Sequence, residues 1–189
     1  MDDDRAVDAL LRAHGLGGTV YDTSDIYGLG HSQRLLGRML AQVPRESVRI
    51  TCKVGAFKGT GVNAYSSLNL HGQVEQSMEN LRVDYLDVLT LHHTDFGPRD
   101  RYLEEALETL QALRDLGSVK AIGMQGPTRL VTDQAASASC VSNRESAARF
   151  AFLFQRIRPE VICTPFNPLS RELEAVDGEE DEVLRSLAG

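Results

Sequence analysis

The sequence predicts an α/β protein: a parallel sheet of about five strands with helices packed around it. Three observations carry this. Short apolar runs of strand length alternate with segments of helical periodicity from one end of the chain to the other. The helical segments reach ten residues or more, long enough to cross back over a sheet and begin the next strand parallel to the last. The composition is 42% hydrophobic and 25% charged over 189 residues, which excludes collagen-like, disulfide-scaffold and wholly disordered chains. No low-complexity linker or short repeat divides the chain, so residues 1–189 read as one domain.

The elements follow in order. Ala6, Val7, Leu10 and Leu11 fall at helical spacing, with acids before them and Gly15 as the stop. Thr19-Val20-Tyr21 reads as a buried strand ending at Asp22. Ser32 is placed to cap a helix carrying Leu35, Leu36, Met39 and Leu40. Val48 to Cys52 is the second strand, ending at Lys53. A loop from Gly55 to Asn69 leads into a helix bearing Val74, Met78 and Leu81. Leu86 to Leu91 is a nearly continuous apolar strand that stops at His92. Leu103 to Leu116 is helical, with Gly117 at its end, and Val119 to Met124 is the fourth strand. Helical stretches over Pro127 to Ala138 and Ser142 to Gln155 precede a short strand at Val161-Ile162-Cys163. A last helix spans Glu172 to Leu187.

Charge and apolar runs narrow the function classes. The net charge is −7, and the stretch from Glu172 to Gly189 carries seven acids against Arg185 alone. No basic stripe offers a nucleic-acid footprint, and the acidic stretch reads most simply as a solvated helix face. Apolar runs stop far short of the ~20 residues of a membrane helix. Met1 is followed by three aspartates rather than a basic, then apolar leader, which argues against secretion. Three cysteines (Cys52, Cys140 and Cys163) without CxxC spacing suggest reduced thiols in a cytoplasm. His14, His31 and His71 are scattered, and no ligand spacing points to a metal.

The chemistry gathers at predicted strand ends. Asp22, Lys53 and His92 each sit where a strand stops, and the carboxyl ends of parallel strands form the working face of such sheets. Tyr27 follows Asp22 in the loop over the same face. Singly, Lys53 reads as a surface residue, His92 as a core histidine and Tyr27 as a loop anchor. Together they form an acid–base set. A tyrosine titrates near 10, and a neighbouring ammonium favours its phenolate. A carboxylate paired with the lysine keeps the lysine charged, and a neutral imidazole donates a hydrogen bond that orients a substrate oxygen.

These residues stand in motifs that resemble the aldo-keto reductase family. Asp22-Thr23-Ser24-Asp25-Ile26-Tyr27-Gly28, with Gly30-His31-Ser32 and Leu36-Gly37 after it, is similar to the family signature. So are Thr51-Cys52-Lys53-Val54-Gly55 and the run SMENLRVDYLDVLTLHHTD from Ser77 to Asp95. Leu116 to Gly123 (LGSVKAIG) and Phe166-Asn167-Pro168-Leu169-Ser170-Arg171 match the next segments in order. The resemblance implies a partial (β/α) TIM-barrel-like fold and reduction of a small-molecule carbonyl with NAD(P)H. It makes Tyr27 the proton donor, Lys53 and Asp22 the pair that tunes it, and His92 the group that orients the carbonyl. It assigns no role to His93.

The departures from the family matter as well. A full (β/α)₈ barrel takes about 250 residues. The resemblance therefore leads us to expect a truncated member, without the first barrel strand before the helix near Asp4 and without the last two βα units after Leu187. Those last units are where the family holds the far end of the dinucleotide. The positions expected nearest the nicotinamide are Gln125, Gly126, Cys163 and Asn167. Gln125-Gly126 stands where the family has Ser-Asn, and Cys163 where it often has Gln. The implied cofactor is NADP(H). Two other readings stay open. One is a cofactor-independent acid–base enzyme (a dehydratase, lyase, isomerase or cyclase) reusing the same four residues. The other is a non-catalytic partner subunit. The loop Ala56 to Leu68 is the expected source of substrate specificity. Five strands leave an open barrel, with the strands ending at Asp22 and Cys163 outermost. Such edges invite a homodimer, or an internal plug by the acidic helix.

Overall fold

A computed structural model describes residues 2–59, 61–126 and 139–164, the side chains of 139–147 excepted. The element order is α1 (Asp3–Gly15), β1 (Val20–Ser24), α2 (His31–Leu40), β2 (Arg49–Val54), α3 (Ser67–Leu81), β3 (Leu86–Leu91), α4 (Leu103–Asp115), β4 (Val119–Gln125), α5 (Ser139–Ile157) and β5 (Val161–Cys163). The five strands lie side by side in sequence order, every pair parallel. This is part of a (β/α) barrel, with β1 and β5 outermost among the described strands. No described helix is long and apolar enough to cross a membrane. The expected helices at Pro127–Ala138 and Glu172–Leu187 lie outside the described residues.

Local chemistry explains the boundaries. Asp2 caps α1 by accepting from the Asp4 backbone N–H at 3.3 Å, and Arg12 and His14 in the last turn complement the helix dipole. The start of α2 corrects the expected cap. Gly30 is the N-cap residue, in the left-handed region at φ 80°, and Ser32 lies inside the helix. The Ser32 hydroxyl instead pairs with Thr23 Oγ1 at 3.1 Å, tying α2 to β1. The expected strands also run further than read: β1 continues through Asp22 to Ser24, and β2 through Lys53 to Val54.

The register decides which side chains share a face. In a parallel ladder, paired residues point the same way, and neighbours along a strand point oppositely. Asp22 pairs with Thr51, Ser24 with Lys53, Lys53 with Thr90, Thr90 with Gly123, and Gln125 with Cys163. These residues therefore form one face. The intervening residues Ile50, Cys52, Val54, Leu89, Leu91, Ile122 and Met124 form the other. Those seven are buried and join one core with Leu36, Met39, Val74, Leu81, Leu110 and Leu113 from the helices. Gly123 sits where the inner face is tightest, since a Cβ there would lie 2.5 Å from Thr90 Oγ1.

Several polar groups inside this packing pair with one another. Buried Gln33 of α2 donates to Ser77 Oγ at 2.9 Å and accepts from Asn80 at 2.9 Å, joining α2 to α3. At the amino end of the sheet, buried Asp87 accepts from Arg45 at 2.6 Å and from the Ile50 backbone N–H at 3.0 Å. Tyr85 lies there between the Arg45 guanidinium and the Lys120 ammonium, 4.1 and 3.6 Å from its ring centroid. This ionic end is opposite the one that carries the acid–base set.

Candidate active site

The inner face and the carboxyl ends of the strands line an open cavity of about 720 Å³. It is lined by Asp22, Tyr27, Thr51, Lys53, His92, Gln125, Val161 and Cys163, among others. The size is within the usual range for a small-molecule site. Asp22, Tyr27, Lys53 and His92 thus come together, though by a different route from the one expected. His92 follows the last residue of β3, as read. Asp22 and Lys53 lie within their strands, and they converge because parity and register give them the inner face.

Each side chain has an identifiable support. Lys53 is buried between Cys52 and Val54, whose side chains go to the core on the other face. Its ammonium donates to Asp22 Oδ2 and lies 5.6 Å from the centroid of the Tyr27 ring. Burial alone would push Lys53 down. The Asp22 hydrogen bond and charge, with Tyr27 beside it, outweigh burial and leave it above its ordinary value. Tyr27 is 41% exposed. It sits in the turn after β1, its backbone N–H donating to the Ser24 carbonyl at 3.2 Å and its carbonyl accepting from Ser32 N–H at 3.2 Å. His92 is held by its backbone N–H on the Val54 carbonyl at 2.9 Å. Burial holds its imidazole below its ordinary value. Asp25 and Asp22 oppose that effect, and Lys53 and His93 add to it.

The positions expected to meet a cofactor divide. Gln125 and Cys163 line the cavity across from Lys53, and Cys163 Sγ is 3.9 Å from Thr90 Oγ1. Gly126 continues the ladder, its N–H donating to the Cys163 carbonyl at 2.7 Å, and presents backbone only. Asn167 lies outside the described residues. The donor set suits the nicotinamide end of a dinucleotide: the Gln125 amide matches a carboxamide in both donor and acceptor, and the cavity has room for one ring beside a substrate.

Two neighbours clarify the rest. His93 has a structural use. Its backbone N–H donates to Tyr65 Oη at 2.9 Å, its carbonyl accepts from that hydroxyl at 2.8 Å, and the two rings lie 4.7 Å apart. Tyr65 in turn packs on Gly55, whose φ of 100° and lack of a Cβ let the ring approach. The loop Ala56–Leu68 contributes none of the cavity residues named above. Phe57, Gly59 and Leu68 line a separate cleft of about 600 Å³ against α2 and α3. Thr51, quoted in a motif but given no role there, is also a wall residue; its signal is parity, two positions before Lys53 on the same face.

With this geometry in view, comparisons identify what the chain is similar to. The family model described as Aldo/keto reductase family matches residues 1–156. L-galactose dehydrogenase of Arabidopsis thaliana is 34% identical over 126 residues, covering 66% of this chain and 39% of that protein. NADH-specific methylglyoxal reductase of Escherichia coli is 30% identical over 129 residues, covering 62% and 40%. Among solved structures, an aldo-keto reductase from Klebsiella pneumoniae in complex with NADPH superposes with a TM-score of 0.57 at 26% identity, covering 66% of this chain and 40% of that one. The chain thus spans about 40% of the length of the curated relatives it matches.

Proposed function

The chain belongs to the aldo/keto reductase family, and from that premise we propose that it reduces the carbonyl of a small-molecule substrate with NAD(P)H, using Tyr27, Lys53, Asp22 and His92. The observation that carries this reading is the Asp22-bonded Lys53 ammonium beside the Tyr27 ring in one cavity with His92. When bound, the dinucleotide supplies the hydride. Gln125 would hold its carboxamide end, with Cys163 and the Gly126 backbone beside it. Tyr27 gives its hydroxyl proton to the carbonyl oxygen as charge develops there. The Lys53 ammonium stabilises the phenolate left behind, and Asp22 keeps that ammonium charged and in place. His92 orients the carbonyl through a hydrogen bond from the cavity side of its ring.

The family membership favours hydride transfer over the cofactor-free acid–base reading. The same proposal takes the chain as one domain acting in a reducing cytoplasm, where the Cys52 and Cys163 thiols stay free. It also takes the chain as a homodimer covering the open side between β1 and β5, the outermost described strands. The test is titration of the purified protein with NADPH and NADH by fluorescence or calorimetry, followed by a carbonyl-dependent assay of cofactor oxidation. Saturable micromolar binding with turnover supports the proposal. No binding up to roughly millimolar cofactor, a concentration that should reveal even about 4 kcal/mol of affinity, removes it.

A further inference from the structure

The backbone that carries His92 out of β3 is fastened residue by residue. His92 N–H donates to the Val54 carbonyl of β2 at 2.9 Å. His93 is held at both its N–H and its carbonyl by the Tyr65 hydroxyl. The next carbonyl, that of Thr94, accepts from Arg149 Nη2 of α5 at 2.7 Å. The same guanidinium binds Asp100 further along the loop: Nη1 donates to Oδ2 at 2.6 Å, and Nη2 donates to Oδ1. One arginine thus closes both ends of residues 94–100. Its two-pronged carboxylate pair is stronger and more directional than a single charge contact.

Local structure explains why Arg149 reaches this loop. β4 and β5 are parallel, so α5 between them runs back against both and begins at the carboxyl ends of the strands. Phe150 and Leu153 of α5 are buried in the core, with Phe154 and Ile157 packed against it. Arg149 lies one turn before Leu153, at the margin of that stripe. Helical side chains lean toward the helix N-terminus, here toward the site. The loop that Arg149 meets is strained. Arg99 and Asp100 both adopt the left-handed region at φ 56°, which costs residues other than glycine about 1–3 kcal/mol each. Such a conformation persists where its surroundings hold it, and Arg149 supplies that hold. Its hydrogen bond, and then its charge, keep the Asp100 carboxyl below its usual range against the effect of burial.

We propose that Arg149 is a positioning residue for His92: bonded to Asp100 and to the Thr94 carbonyl, it holds the loop that begins at His92 and so fixes the ring in the cavity. The inference rests on the reading of His92 as the group that orients the carbonyl. Arg149 does not line the cavity, so it acts through the backbone and not on the substrate. The buried Nδ1 of the His92 ring meets no partner among the described residues, so the backbone beneath the ring decides where that edge lies. The brace also joins two parts of the site. His92 follows β3, whereas α5 leads into β5, whose Val161 and Cys163 line the same cavity. Loosening it shifts the group that holds the carbonyl and leaves Gln125, on β4, where it was.

The test is Arg149→Met, which keeps an unbranched stem and removes every guanidinium donor. It is read by NMR of the histidine rings without cofactor or substrate, and by steady-state kinetics. The His92 ring signals are expected to shift and broaden, while those of His14 on α1 and His31 on α2 stay in place. The kcat should fall about 10- to 100-fold, the scale of a misplaced catalytic contact, with the NADPH dissociation constant unchanged. Asp100→Asn keeps the Thr94 bond and should give the same pattern at smaller amplitude. Added to Arg149→Met it should change nothing further, since both act on one brace. Unmoved His92 signals overturn the proposal, as does full kcat in a folded Arg149→Met enzyme. Equal disturbance of His14 and His31 also overturns it, because the loss is then one of general packing. If Arg149→Met does not fold, the His92 signals of Asp100→Asn decide. The ring spectra need no turnover, so a wild type that fails to oxidise NAD(P)H would count against the proposed activity and leave these signals to judge the brace.

Discussion

Lys53 and its two neighbours in β2 belong to different worlds. Cys52 and Val54 are fully buried in the core under the helices, whereas Lys53 turns to the cavity and binds Asp22. The same contrast runs across the whole sheet: Leu89 and Leu91 against Thr90, Ile122 and Met124 against Gly123. The outer face consists of apolar side chains in close contact, and its thiol Cys52 is pushed up to about 11 by burial, with little thiolate at neutral pH. The inner face is polar, ionic and open. One face supplies the cohesion that holds the other's charged groups in register. A single-residue step along a strand separates packing from chemistry.

That division predicts opposite phenotypes for neighbouring substitutions. The largest effect is expected at the cavity. Tyr27→Phe keeps the ring and removes the hydroxyl, so turnover should drop by about 10²- to 10⁴-fold while the melting curve stays put. A well-folded variant with undiminished turnover would show that the proton comes from elsewhere. On the outer face, Leu89→Ala leaves a hole in a fully buried site. It should cost about 2–5 kcal/mol in denaturant unfolding, with kcat of the folded fraction near wild type. If activity fell and stability did not, the two faces would not be separable in the way described.

Gly123→Ala tests the boundary between the faces. Its new methyl meets Thr90 Oγ1 at 2.5 Å, so strands β3 and β4 must shift on the inner side. A loss of about 1–3 kcal/mol is expected, accompanied by a raised KM as Thr90 and Cys163 move; unchanged values in both would mean that the inner face yields freely. The smallest effect concerns pH. His92 titrates below its ordinary value of about 6.5 when folded, so the unfolded chain takes up the proton first as pH falls. Stability should therefore decline from about pH 6.5 down to the folded midpoint, and His92→Gln should remove that part of the decline. Urea midpoints above and below this window measure it, and an identical slope in the variant would refute the assignment.

Much of the fold was legible because short apolar runs and helical spacing are local properties. Leu86–Leu91 and Val161–Cys163 match the observed strands end to end, and the five-strand parallel sheet follows from their alternation with helices. The four candidate catalytic side chains were legible as residue types in recurring motifs. Their placement was read less well. Asp22 and Lys53 were expected at strand ends because polarity usually marks where a buried strand stops. Here the barrel interior near the site is itself polar, so the strands continue through them. Ser32 was expected as a cap on propensity alone, and its hydroxyl went to Thr23 once α2 had packed against β1.

By itself, then, the sequence determined the class of the sheet and the order of its elements, and named the candidate acid–base residues, since spacing and motifs are local along the chain. The tertiary structure alone decided which oxygen holds the Lys53 ammonium, that Gln125 and Cys163 share its cavity, and that Phe57 and Leu68 line a different cleft. It also brought the Arg149 guanidinium of α5 onto the loop that follows His92. The reason is physical: pairing register and the burial of particular atoms arise from contacts between strands 29 to 37 residues apart, and no local pattern encodes an interatomic distance across that span.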